Sequence, residues 1–206
     1  YICNFIMSTL ETNLVQPSSG TTLTLGASGD TVDVPSGATF DATGATVTGI
    51  TQGITEADQW RLTSDFTTSG ATISSGWERD DTNGSTYIGT GMSESSGIFT
   101  FPSTGKYLIL WTPSFLIAQN NTQVQSGIET TTDNSSYNSR ANTFGGGNGT
   151  SLTSYGAGAA QILFDVTSTS THKARFVTGN LNSGSAIRGN TSYNFSEALF
   201  LRLGDT

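Results

Sequence analysis

The chain has a single cysteine, Cys3, so no internal disulfide can form and no thiolate metal cluster can be built. Packing alone must hold the fold. Histidine is just as scarce: His172 is the only one, and any serine or cysteine triad would have to run through it. It lies in the strand-like polar segment STSTHKARF, where a hydrogen-bonded surface histidine is the expected role. Charge is sparse too. Charged residues make up 12% of the chain, and the net charge is -8. The Lys and Arg residues are dispersed, with no basic patch and no interleaved aromatics, which argues against a nucleic-acid partner. No apolar run approaches the ~18 to 20 residues of a membrane helix, so membrane insertion is not expected. The N-terminal YICNFIM has neither the basic region nor the apolar length of a secretory signal. Met7 opens a start-like stretch, MSTLETN, and residues 1–6 read as a processing remnant or a reading-frame extension.

Ser and Thr take the place of the missing charge, at about three residues in ten, together with 25 glycines. That mixture favours extended strands and turns over helices. An all-β chain is expected, with one ordinary domain plus an appendage in 206 residues. Residues 1–22 contain a polar, unpatterned tail of the kind that orders only against a partner. Residues 23–56 repeat a short design, in which Leu23 and Leu25, Val32 and Val34, Phe40 and then Val47 are separated by the turns ASGD, PSG and ATG. Two readings fit this segment: a stalk of very short strands wound around an axis, or a flexible linker.

From Ala57 to the C-terminus the strand signals lengthen. The candidates are QWRLTSDF (59–66), ATISSGW (71–77), STYIGTGM (85–92), GIFTF (97–101), KYLILWTPSFLI (106–117), TQVQSGIETT (122–131), AAQILFDV (159–166), HKARFVTG (172–179) and SEALFLRL (196–203). Their spacing points to an antiparallel sandwich over 57–206. TEADQW (55–60) is the one helix-like piece. The stretch 132–158 reads as a long loop, its part 142–158 too rich in Gly and Asn to pack well, and Tyr137, Arg140 and Phe144 are its ligand-binding candidates; a plain connector fits the same residues.

Three of the strands are apolar on both faces: Tyr107 to Trp111, Ile162 to Phe164, and Ala198 to Leu201 with Leu203. In a two-layer sandwich only one face of each sheet is core. No amphipathic helix is available to cover the other, so another copy of the chain is the expected cover, and closed threefold symmetry would bury it. Phe99, Tyr107, Ile109, Trp111, Phe164, Leu199, Phe200 and Leu201 are the candidates for core or subunit interface.

Phe99, five residues, Gly105, then Tyr107, Ile109 and Trp111 at alternate positions resembles the second half of the signature of the complement globular head and its tumour-necrosis-factor-like relatives. Ile109 stands where that family has a second Phe, and Trp111 where Phe or Tyr is usual. The upstream half departs further, with Tyr87 in place of the family's Asn or Asp. SEALFLRLGD is similar to the family's closing strand. The resemblance implies a homotrimeric jelly roll, with the set beginning at Tyr107 nearer the threefold axis. The N-terminal part is similar in composition to the Ser/Thr/Gly-rich bases of phage fibres, in which a short tail plugs into the particle.

A catalytic set is not apparent. Glu78 and Asp80, in WERDDTNGS, could serve as paired glycosidase carboxylates, but two acids in a turn are commonplace and nothing in the sequence fixes their separation. Asp81-Thr82-Asn83-Gly84 mimics the start of a calcium loop, but Met92 stands where the bidentate Glu belongs, and Asn83-Gly84 is also a hairpin-turn signal. Gly145-Gly146-Gly147 lacks the strand-turn-helix setting of a phosphate loop. The expected role is therefore non-enzymatic and without metal or cofactor: a trimeric structural protein on the exterior of a phage virion, joined to other virion proteins by its tail and binding a glycan or protein of the host surface. A capsid-decorating fibre without a receptor role, and a cellular complement-head-like module, are the alternatives.

Overall fold

The computed structural model describes residues 15–45, 53–82, 84–119, 121–149 and 152–206. It divides into two units, Tyr1–Ile50 and Thr51–Thr206. In the first, the described residues form turns at the expected places: Asp30 N–H donates to Ala27 O, Ala38 N–H to Pro35 O and Ala45 N–H to Ala42 O, each at 3.0 Å. The expected strands between those turns are not formed by residues 15–45. Leu23, Leu25, Val32, Val34 and Phe40 are exposed, because strands this short find no ladder partner within their own chain. Val47, Cys3, Met7 and the start of the tail lie outside the described residues.

The second unit is built of strands: β1 (Ala57–Leu62), β2 (Trp77–Arg79), β3 (Ser93–Ser95), β4 (Ile98–Thr100), β5 (Gly105–Thr112), β6 (Ser114–Ile117), β7 (Gln123–Thr131), β8 (Asn138–Gly146), β9 (Ser154–Ala157), β10 (Ala160–Val166), β11 (Lys173–Gly179), β12 (Ala186–Ile187) and β13 (Glu197–Gly204). One sheet has the order β10-β5-β13-β1-β2, another β3-β4-β11-β7-β8, and a small third sheet β12-β6-β9. Every ladder is antiparallel, as a jelly-roll sandwich requires.

Alternation along each strand decides what enters the core. In β5, Tyr107, Ile109 and Trp111 point between the sheets and are at most 1% exposed, while Leu108 and Leu110 lie on the outer face. The Tyr107 set, expected nearer a threefold axis, fills the space between the two sheets. Phe99, Phe164 and Phe200 belong to the same core. Leu199 and Leu201 are the candidates that face outward with Leu108 and Leu110. Around Trp111 the rings of Trp77, Phe99, Phe176 and Phe200 meet at centroid distances of 4.8 to 6.1 Å, mostly edge-on or tilted, the geometry that ring quadrupoles favour.

Several local expectations are also corrected. TEADQW is not helical, because Ala57 to Arg61 pair with Leu201 to Glu197 of β13. STYIGTGM makes only a bridge between Ile88 and Ala57; Gly89 and Gly91, with φ of 79° and 74°, turn the chain away from further pairing. The stretch 132–158 is not a long loop: it contains β8 and β9. Gly145 lies where β8 crosses Phe115 and Val124, and a Cβ there would sit 2.7 Å from the Phe115 ring. Here glycine is a close-packing residue, not a breaker.

Candidate functional site

The outer face of the β10-β5-β13-β1-β2 sheet is apolar. Register places Leu163 opposite Leu108 and Leu108 opposite Leu201; Leu110 is opposite Leu199. Leu163 is 72% exposed and Leu203, on the bulge of β13, is 52% exposed. An open hollow of about 360 Å³ lies at this end, lined by Lys106, Leu163, Phe164, Asp165, Leu203 and Gly204. Beyond the leucines the face turns polar, where Arg61 bonds Glu78 at 3.0 Å and Asp80 at 3.4 Å.

Gly105 begins β5 at φ 146°. A Cβ there would collide with the Arg202 side chain and would come within 2.6 Å of Gly204 O, so the glycine is what lets β5 approach the bulge of β13. This is the physical reason for Gly at position 105 of this chain.

The outer face of the other sheet is different in kind. Along β7 the outward positions are Gln125, Gly127 and Glu129; β11 presents Gly179, Val177 and Arg175 beside them, and β8 presents Phe144, Asn142 and Ser139. Segment 71–73 extends the sheet past β11, through Ile73 N–H to Phe176 O and Thr178 N–H to Ala71 O, each 2.9 Å. The result is an open polar cleft of about 350 Å³ over Val177, lined by Gln125, Glu129, Asn142 and Arg175. Glu129 Oε2 accepts from Arg175 Nε at 2.8 Å and from Nη2 at 2.6 Å, and the Tyr137 ring lies 4.0 Å from the guanidinium carbon.

Of the residues expected in a binding loop, Tyr137 precedes β8 and Arg140 and Phe144 lie within it. Arg140 is the extra residue at the bulge opposite Ile128 and Glu129, and its Nε donates to Thr130 Oγ1 at 3.1 Å. Phe144 is half-exposed on the cleft's face of the sheet, opposite Gln125. The turn before Tyr137 is built on Asp133, whose Oδ1 accepts from Ser136 N–H at 2.7 Å, Thr131 Oγ1 at 2.7 Å and Ser135 N–H at 2.9 Å. These hydrogen bonds, led by that from Ser136, hold its carboxyl far below the ordinary range. Burial pushes the Tyr137 phenol up, and Arg175 opposes it.

The chemistry-bearing residues singled out by sequence have structural partners. Glu78 and Asp80 share Arg61, and Asn194 Nδ2 also donates to Asp80 Oδ2 at 3.0 Å, so the pair is held as an ion network. His172 is 7% exposed, not at the surface as expected; its ring bonds Thr167 at 3.2 Å and Thr171 at 3.1 Å and packs beside Phe164. Asn83 lies outside the described residues, among which no group of His, Cys, Asp and Glu could hold a metal ion. Sequence reasoning missed Asp58, which is 2% exposed and accepts from Trp60 Nε1 at 2.8 Å, Met92 N–H at 2.6 Å and Arg79 Nε at 3.0 Å. It ties β1 and β2 to the start of β3. A lone Asp among alternating residues carries no sign of this.

No family model matches the chain, and no curated protein matches it either. Solved structures do. The tumour necrosis factor Eiger of S. frugiperda superposes with a TM-score of 0.57 at 11% identity, covering 75% of this chain and 96% of that one. Murine APRIL at pH 5.0 gives 0.52 at 12% identity, over 72% of this chain and 98% of that one. At pH 8.0 murine APRIL gives 0.51 at 10% identity, over the same shares. The fold is the tumour-necrosis-factor-like jelly roll. The family resemblance carried by Phe99, Gly105, Tyr107, Ile109 and Trp111 thus holds at the level of the fold.

Proposed function

We propose that the chain is a homotrimeric binding head on a fibre carried outside a phage particle, with its N-terminal tail holding it to other virion proteins and its head meeting the host surface. The observation that carries the trimer is the leucine face of Leu108, Leu110, Leu163, Leu199, Leu201 and Leu203. A contiguous apolar patch on a sheet that no helix among the described residues covers is an association surface, and closed rotation lets every copy bury its own without leaving a free one. The hollow beside Leu163 and Leu203 is a seat for a neighbour's side chains. The tumour-necrosis-factor-like fold supports the same assembly.

The particle-borne role rests on the N-terminal unit. Its turns are in place while its apolar residues are exposed, as expected of short segments that pair only when three chains run together. Light scattering of the full chain tests the assembly: the expected mass is three times 21.5 kDa. Mass spectrometry of purified virions tests the location, and its absence from particles would remove the fibre role while leaving the trimer standing.

A further inference from the structure

The polar cleft on the β11-β7-β8 face is a second, separate surface, on the opposite sheet from the leucines. Its charge is balanced. Both Arg175 contacts to Glu129 fall on Oε2, so the cation and the anion satisfy one another and the residues lining the cleft offer no unpaired positive charge to a phosphate, sulfate or carboxylate. What remains is an array of neutral donors and acceptors. Gln125 Nε2 donates to Asn142 Oδ1 at 2.9 Å, and Asn142 Nδ2 donates to Ser139 Oγ at 3.0 Å, so the two amides and the hydroxyl are oriented in one chain across β7 and β8.

Gly127 makes this arrangement possible. A Cβ at that position would overlap Asn142 Oδ1 and come within 2.6 Å of Ala141 O. The glycine lets the Asn142 amide lie flat across β7 instead of standing out from the sheet. Glycine in a strand interior weakens the strand and marks a close approach, here that of Asn142 to β7 between Gln125 and Glu129. Aromatic rings stand at both ends of the array. Tyr137 is fixed over Arg175, and Phe144 is 51% exposed across from Gln125. Amides and a carboxylate with two-point hydrogen-bonding capacity, beside flat apolar rings, match a ring that carries vicinal hydroxyls on its rim and C–H bonds on its faces. The volume of about 350 Å³ is at the small end of ligand sites, suited to one or two such rings.

We propose that this cleft binds a neutral saccharide, with Asn142, Gln125 and Glu129 Oε1 holding ring hydroxyls and Tyr137 and Phe144 flanking it. This deepens the reading of the chain as a surface-binding head and rests on it. The cleft's charge balance, not its size, sets the class, since an acidic sugar would meet Glu129 without a free cation to answer its carboxylate.

The full chain is titrated by calorimetry with mannotriose, maltotriose and galactotriose, with sialyllactose as the acidic comparison, while light scattering follows its mass. A neutral trisaccharide is expected to bind with a Kd below about 10 mM, and Asn142→Ala and Gln125→Ala are each expected to weaken it about tenfold or more. Both residues lie on an outer sheet face, so the melting temperature should stay within a few degrees of the parent's. Chemical shifts of the Gln125 and Asn142 side-chain amides should move on titration. No binding by any neutral sugar, preference for sialyllactose, or binding untouched by both variants overturns the inference. If the protein still runs as a trimer in that case, the assembly reading survives and only the ligand class is lost.

Discussion

Trp111 Nε1 donates to Ser126 Oγ at 2.8 Å, and Ser126 Oγ donates in turn to Val177 O at 2.8 Å. The link joins β5 of one sheet to β7 and β11 of the other through the middle of the aromatic cluster. It solves the problem that a large indole brings to a core: the ring buries well, but its N–H needs a partner. Ser126→Ala removes that partner and leaves the N–H dry. The expected cost is about 1–3 kcal/mol, read as a lower urea midpoint with unchanged slope. An unchanged midpoint would show that the indole finds another acceptor.

The glycine at the head of β5 is predicted to be irreplaceable where Gly146 of β8 is not. Gly105→Ala must adopt φ near 146° and force its methyl against Arg202 and Gly204 O, at a cost of about 1–3 kcal/mol. Gly146→Ala is the comparison, because a Cβ there meets nothing within 4 Å. It should be neutral or stabilising by up to about 1 kcal/mol, through the unfolded chain's lost freedom. Chemical denaturation of the two variants side by side checks the difference; equal effects would remove the packing explanation of Gly105.

Much of the sandwich was legible because its central strands obey simple rules. Residues 107–111 and 198–201 announced strands apolar on both faces, and the missing helix pointed to a face in need of a cover; Leu108, Leu110, Leu199 and Leu201 are that face. The edge of the other sheet was not legible. β8 has Gly145 near its end because Phe115 and Val124 press on one side of it, a demand made by distant residues that composition cannot report. The cleft escaped notice for the same reason. Its members, Gln125, Glu129, Asn142 and Arg175, are ordinary strand polars until register sets them side by side.

Asp133 gives the turn before Tyr137 a pH dependence of known sign. Its carboxylate is held below the ordinary value of 3.8 by hydrogen bonds from Ser136, Thr131 and Ser135. A group with a depressed folded pKa contributes stability that is fully present above the unfolded value and is lost as pH falls through the folded one. The stability difference between the parent and Asp133→Ala should therefore be constant from neutral pH down to about pH 5 and shrink as the pH is lowered below about 4. Thermal melts across that range check it. A difference that grows on acidification would mean that the carboxylate is not the acceptor that holds the turn.

The leucine face and the aromatic core are separated by a single position in register, and a charge placed on each should fail in a different way. Leu163 is 72% exposed in the single chain, so Leu163→Asp leaves a folded subunit with its carboxylate in water. In a trimer the same substitution removes a buried leucine, worth about 1.5–3 kcal/mol, and desolvates a charge at three symmetric places. Tyr107 is 1% exposed, with its hydroxyl bonded to Ser103, and burial already pushes its phenol up. Tyr107→Asp puts a charge where even a phenolate is disfavoured, and the sandwich should not form. The expected result by light scattering and circular dichroism is a folded monomer for Leu163→Asp and an unfolded or aggregated chain for Tyr107→Asp. A Leu163→Asp protein that keeps the full trimer mass would place the subunit contact elsewhere, and the exposed leucines would need another cover.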